Sequence, residues 1–321
     1  MGDLRYNKNL ALMAGVEATY GTEQATFVAT DAVLLTEEPD VNIEWINVPR
    51  KLALPFFGAS EELPATALVK MKFKVELVAS GVAGTPPAVG KMLRGCGFQE
   101  TVFAANRVEY TLLSQAQEGL TFRFYNDGVR YVSKAGRGRV KLDLTAYQIP
   151  TGEFEFWSLG RVETVAANPT FDYTAFKLPE VITDAASGDI KLGSALAAGV
   201  LTGGTSYKSK GIVIDVANKL THYPLLGGED IGIADREITG QIITSLSEAQ
   251  EVQWYTDVRA ITTSTLSFSH GTVAGAKMIA FGQKVQRTNP RRVNNDGRLM
   301  QQTDLRYIPV GADNELRLVF K

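Results

Sequence analysis

The chain has one cysteine, Cys96, and two histidines, His222 and His270, in 321 residues. A single thiol excludes an internal disulfide framework and fits assembly in a reducing cytoplasm. Two histidines leave little for metal chemistry. There is no HExxH spacing, and a zinc site would have to recruit carboxylates or Cys96. His270 lies in Ser269-His270-Gly271 and reads as a turn or surface histidine. A Ser-His-Asp triad has its ingredients by count, but no GxSxG elbow is present. Neither sign of charge is in excess: 33 Lys and Arg stand against 35 Asp and Glu, a formal net charge of −2, so no global basic field recruits nucleic acid. No apolar run is long enough to span a membrane. Leu10–Val16 follows Lys8 but is ended by Glu17 with no cleavage site after it, so no secretory leader is expected.

Glycine-rich stretches lack the partners that would make them ligand loops. Gly199–Ser206 has no lysine to reach a phosphate and reads as a flexible turn. Gly136-Arg137-Gly138-Arg139 lacks the third glycine of a dinucleotide fingerprint and reads as a basic hairpin tip. Asn168-Pro169-Thr170 has proline where a glycosylation acceptor forbids it. No enzyme, metal or cofactor is expected on these grounds.

What the chain has is alternation. In Lys70–Leu77, Met71, Phe73, Val75 and Leu77 share one face and Lys70, Lys72, Lys74 and Glu76 the other. Gly119–Tyr125, Arg139–Leu144 and Glu153–Phe156 alternate too. Asn126-Asp127-Gly128 predicts a tight hairpin turn returning through Val129–Val132. Two helices are expected: one from Ala88 to about Arg94, after Pro86-Pro87, and one from Ser247, its N-cap, to about Val258. The fold class is mainly β, an antiparallel sheet with one wet face.

One plan is legible twice. A strand pattern at Val41–Ile46 leads to an irregular stretch, Asn47 to about Thr66, holding Pro55-Phe56-Phe57-Gly58 and Glu61-Glu62. A second at Ile212–Val216 leads to Lys219 to about Asp235, holding Pro224-Leu225-Leu226-Gly227 and Glu229-Asp230. The two lie about half a chain length apart. Each is followed by a strand, a helical segment and a β-meander. The expected organisation is a first β domain at 1–162, a connector with leading strands at 163–210, and a second β domain at 211–321. Long loops at equivalent places point to function. Phe56, Phe57, Glu61, Glu62, Leu225, Leu226, Glu229 and Asp230 are the candidate inter-subunit contacts. Phe56, Phe57 and Tyr223 would also suit a sugar-binding platform. Lys284–Arg292, the most basic stretch, reads as a solvated loop or a contact with an acidic neighbour.

The run Leu10–Thr22, its continuation Asp31–Leu35, and Pro55–Ser60, Gly81–Ala88, Leu93–Phe98, Val108–Thr111, Phe124–Gly128 and Phe171–Phe176 occur in an order that resembles major tail tube proteins of long, non-contractile-tailed bacteriophages. Gln286–Lys321 matches that pattern less well. The resemblance implies tandem β-sandwich or half-barrel domains with short flanking helices. It also implies self-assembly into stacked rings through which genomic double-stranded DNA passes without sequence readout. The implied partners are the chain itself and the tape measure, tail terminator and distal tail proteins, with no membrane. The implied location is the virion tail, after synthesis in the host cytoplasm. Rings in that family usually hold six equivalent domains, so a duplicated chain implies three chains per ring. Glu153 and Glu155 are candidate lumen residues on a wall expected to be net acidic, with Lys70, Lys72 and Lys74 outside it or paired with acids. Other phage-like tube or tail-terminator proteins, and a carbohydrate-binding β-sandwich, are the alternatives.

Overall fold

The protein is described from a computed structural model, covering residue 6 and residues 8–160 and 163–321. Arg161 and Val162, at the expected end of the first unit, lie outside the described residues. In chain order the elements of the first half are β1 (Leu10–Val16), β2 (Ala32–Val33), β3 (Asp40–Pro49), β4 (Glu62–Glu76), α1 (Gly90–Gly95), β5 (Phe98–Phe103), β6 (Arg107–Leu112), β7 (Leu120–Asn126), β8 (Val129–Thr145), β9 (Thr151–Gly160) and β10 (Thr164–Val165). The second half has β11 (Ile190–Ala197), β12 (Val200–Tyr207), β13 (Ser209–Leu225), β14 (Gly228–Thr244), α2 (Glu248–Arg259), β15 (Thr263–His270), β16 (Met278–Asn295), β17 (Arg298–Tyr307) and β18 (Leu316–Phe320).

The fold is mainly β, and the strand pairings are antiparallel. Alternation places Met71, Phe73, Val75, Phe154 and Phe156 on one buried face. Phe73 stacks on Phe154 and Phe156, each at 5.9 Å, and Phe122 of β7 packs against Phe156 at 4.9 Å, so two layers meet through aromatic rings. Strand β8 serves both layers. Its first part pairs with β7, its later part with β9, and a register shift near Lys134–Arg137 lets it turn between them. Strand β16 does the same between β15 and β17. The expected turn is present: Asn126 pairs with Val129, and Asp127 and Gly128 both have positive φ, 41° and 85°.

Eight strands run side by side in the order β3-β4-β9-β8-β13-β14-β17-β16. The central ladder, β8 with β13, crosses from one half of the sequence to the other, pairing Val140–Thr145 with Gly211–Val216. Gly211 starts it at φ +96°, where a Cβ would lie 2.0 Å from the Leu144 carbonyl oxygen, so the close approach requires glycine. A second ladder joins β18 to β6. One buried cluster extends through both halves, from Leu12 and Phe73 to Trp254 and Leu305.

Several expectations need correction. Lys219 to Asp235 is not irregular. It forms the outer part of a long hairpin in which Leu225 pairs with Gly228 around a two-residue turn. The loop after β3 is shorter than expected, because pairing continues to Pro49–Glu62 and leaves Arg50–Glu61 between the strands. Gly136–Arg139 lies inside β8, Gly199–Ser206 is mostly β12, and Lys284–Arg292 lies within β16. Helix α2 keeps its expected start: the Gln250 amide donates to Ser247 Oγ at 3.3 Å, and the Ser247 amide donates to Gln250 Oε1 at 2.9 Å.

Candidate interaction surface

The face of the eight-stranded sheet opposite the core is polar. Lys70, Lys72 and Lys74 come from β4, Glu153 and Glu155 from β9, Arg139 and Lys141 from β8, and Asp215 from β13. Register sets the pairs. Lys72 lies opposite Glu155 and Lys74 opposite Glu153, while Arg139 lies opposite Glu155 and Lys141 opposite Glu153. Lys72 Nζ meets Glu153 at 2.8 Å, Arg139 meets Glu155 at 2.6 Å, and Lys70 meets Glu44 at 2.8 Å. Across the second half Arg306 meets Glu237 at 2.5 Å and Arg291 meets Asp304 at 3.2 Å. The hydrogen bond from Lys72 holds the Glu153 carboxyl below the usual range. The lysines therefore share a face with Glu153 and Glu155, and the face is charge-paired.

Asp215 is half-buried on this face. Desolvation raises its carboxyl above the usual range, against the pull of Arg139 and Lys141. An acid raised in the folded state binds more protons there than in the unfolded chain. Its contribution favours folding at low pH and is lost as pH rises through the folded value. Asp215→Asn is accordingly expected to raise the melting temperature at pH 7 and to leave it unchanged near pH 3. Equal shifts at both pH values, read by differential scanning fluorimetry, would count against this assignment.

Two arms extend from the sheet. The first is the outer part of β3 and β4 with the loop Arg50–Glu61, where Phe56 is exposed and Phe57 reaches 108% exposure. The second is the tip of β13–β14, where Leu225 is exposed and Leu226 reaches 106%. Their acidic residues are engaged within the chain. Glu61 pairs with Arg50 at 3.1 Å, and Glu62 accepts from Asn47 at 3.4 Å. Glu229 meets His222 at 2.7 Å and accepts from Thr66 Oγ1 at 3.0 Å, so it ties one arm to the other. Asp230 lies 3.8 Å from Arg137. Of the eight predicted contact residues, the four apolar ones project and the four acids hold the arms.

A junction missed in the sequence lies beneath the second arm. Tyr20 Oη donates to the Ile231 carbonyl at 2.8 Å and accepts from the Ile231 amide at 2.9 Å, while Arg137 stacks on the Tyr20 ring at 3.8 Å. Asn218 donates to the carbonyls of Cys96 and Gly138 at 2.7 and 2.8 Å. These contacts join the halves of the chain, and nothing in a single strand pattern announces them.

His270 is buried, contrary to its surface reading. It lies 2.8 Å from Ser187 Oγ through Nδ1 and 2.9 Å from the Glu180 carbonyl through Nε2. The carbonyl requires Nε2–H, so the neutral ring accepts from Ser187 through Nδ1. Burial depresses its pKa. A base depressed on folding lends stability above its unfolded pKa that is lost as pH falls, so His270→Gln is expected to flatten the loss of melting temperature as pH falls below about 6.5. Calorimetry at several pH values checks this; an unchanged acid slope would contradict it. Cys96 is buried, and its thiol is pushed up by desolvation. Among the described residues no group of three His, Cys, Asp or Glu side chains could hold a metal ion.

Open sheet edges, projecting apolar tips and a charge-paired face define a structural β protein with surfaces for association. The chain belongs to the phage tail tube family: the family model described as phage tail tube protein matches residues 7–307. No curated protein matches it. Membership makes it a structural component of the virion tail, a family whose members associate with themselves and with other tail proteins.

Proposed function

We propose that this chain is the repeating subunit of a tail tube of the long, non-contractile type, with three copies closing a ring and rings stacking into a conduit for DNA ejection. The observation that carries the reading is the eight-stranded sheet, open at both ends and already joined once across the two halves through β8 and β13. If each half is one ring unit, three chains supply six units with pseudo-sixfold symmetry. The polar face would form the lumen wall. Most of its cations are already paired with carboxylates, so few remain to release counterions from phosphate, and DNA slides instead of sticking. The arms would reach the neighbouring subunit or ring, and the tube ends would meet the tape measure, terminator and distal tail proteins.

Negative-stain microscopy with native mass spectrometry tests this. The expected result is tubes or rings whose closed species weighs three times 34.9 kDa. Six chains per ring would overturn the trimer, and a dispersed monomer would overturn the tube.

A further inference from the structure

We infer that Lys191, Lys277 and Lys321 form a binding site for a phosphate monoester, in a hollow beside the hairpin of β11 and β12. Strands β11, β15, β16 and β18 pair side by side in that order, and the site lies on their face turned away from the core. It is on the far side of the core from the polar sheet face. The inference adds to the tube reading and does not depend on it.

The hollow exists because the hairpin bends. Strand β11 pairs with β15 only at Lys191 and Leu192. Gly193 then takes φ +78°, and opposite it Gly203 and Gly204 take +66° and +85°. A Cβ at Gly204 would lie 2.9 Å from the Ser194 amide nitrogen, so the bend requires glycine. Beyond the bend the hairpin crosses the outer face. Ser194 Oγ shares a hydrogen bond with Ser267 Oγ at 2.8 Å, and Thr265 Oγ1 donates to the Ser194 carbonyl at 2.6 Å. At the tip, Gly199 packs against Val319 and Arg107. Ile279 and Val319 point away from the core cluster that holds Met278, Ala280, Leu318 and Phe320. They are buried all the same, because the hairpin roofs them.

Beside this roof lies a hollow of about 390 Å³, with Val200, Leu201 and Ile279 as an apolar wall. Register puts the three lysines around it. Lys191 stands opposite Ser267, and Ser269 opposite Ile279. Lys277 and Lys321 exchange backbone hydrogen bonds at 3.0 and 2.9 Å, so their side chains rise together on the face of Ile279 and Val319. All three lysines are half-buried. The nearby Arg107 and Arg317 share Glu109, at 2.6 and 3.8 Å, but among the described residues no carboxylate pairs with Lys191, Lys277 or Lys321. Asp189 is the one acid among the described lining residues, and it is exposed. Three positive charges thus face one hollow against a single negative charge. Their repulsion is stronger where water is partly excluded. A dianion relieves it and accepts a charge-assisted hydrogen bond from each ammonium group, which a carboxylate with one charge does less well. The apolar wall suits the carbon body of an ester better than it suits free phosphate.

Isothermal titration calorimetry with phenyl phosphate, at constant ionic strength, tests the site. The wild-type chain should bind with a dissociation constant of about 1 mM or below, and inorganic phosphate should bind more weakly because it leaves the apolar wall bare. Replacing Lys191, Lys277 and Lys321 together by glutamine should weaken binding by about tenfold or more. Lys219→Gln, at an exposed position on β13 outside the hollow, should leave it unchanged. Asp189→Asn should tighten it, which a merely structural role for these side chains would not produce. No binding by the wild type, or equal binding by the wild type and the triple variant, would overturn the inference. If the triple variant fails to fold, Asp189→Asn decides, and an affinity no tighter than wild type would overturn it.

Discussion

Trp254→Ala is expected to destabilise the folded chain by about 3–5 kcal/mol, among the largest effects of any single substitution. Trp254 is buried, and helix α2 presents it toward the second half of the core. Its ring meets Tyr207 edge-on at 5.3 Å, and its Nε1 donates to Thr303 Oγ1 at 3.1 Å. Arg287 lies on its face at 4.2 Å, with Asp257 at 2.7 Å as counter-ion. Alanine would leave a cavity, remove a donor from a fully buried hydroxyl, and strip one wall from a buried guanidinium, which is costly where water is excluded. Trp254→Phe keeps much of the volume and the cation–π face but not the donor, so it should cost less. Urea unfolding of the three proteins checks the order. A loss below about 1 kcal/mol for alanine would mean that α2 is not a core element.

The contrast between α2 and the arms shows what a single sequence can carry. Helix α2 was legible because its start is local: Ser247 and Gln250 are three residues apart and satisfy each other, with Glu248 and Glu251 in the first turn. The strand Lys70–Leu77 was legible because its two faces differ in every residue. The outer β13–β14 hairpin was not, because Pro224, Gly227, Gly228 and Gly232 mimic loop composition while the pairing that orders them is long-range. The continuity of β8 through its middle was hidden by Gly136 and Gly138. Both are required because Phe122 and Phe156 occupy the space where a Cβ would project, at 2.7 and 2.6 Å. His270 was misread for the same reason: its partners Ser187 and Glu180 are more than eighty residues away in the chain.

The same limit applies to the interaction surface. The exposure of Phe56-Phe57 and Leu225-Leu226 was legible, since each apolar pair sits in a turn-rich segment flanked by proline and glycine. The roles of Glu229 and Asp230 were not, because His222, Thr66 and Arg137 reach them only in the folded chain. Which strand faces Glu153 and Glu155 was not legible either. Antiparallel pairing sets the lysines of β4 directly against them, and composition cannot reveal which strand lies alongside.

Replacing Phe56 and Phe57 together by alanine is expected to abolish most assembly while leaving the monomer as stable as wild type. The reasoning turns on where the rings are now. Phe57 is wholly exposed and Phe56 largely so, hence neither supports the fold of its own chain, and truncation removes no intrachain burial. If a neighbouring subunit or ring buries them, each contributes roughly 1.5–3 kcal/mol to that contact. Two per chain then weaken association by roughly 3–6 kcal/mol, on the order of 10²- to 10⁴-fold in affinity. Leu225→Ala with Leu226→Ala should act in the same direction and less strongly, since leucine carries less area than an aromatic ring. The measurement is tube yield by sedimentation, set beside a thermal melt of the monomer. Normal tube yield from the phenylalanine pair would show that the first arm meets solvent and no partner. A melting temperature several degrees below wild type would show that it folds back as a lid on its own domain.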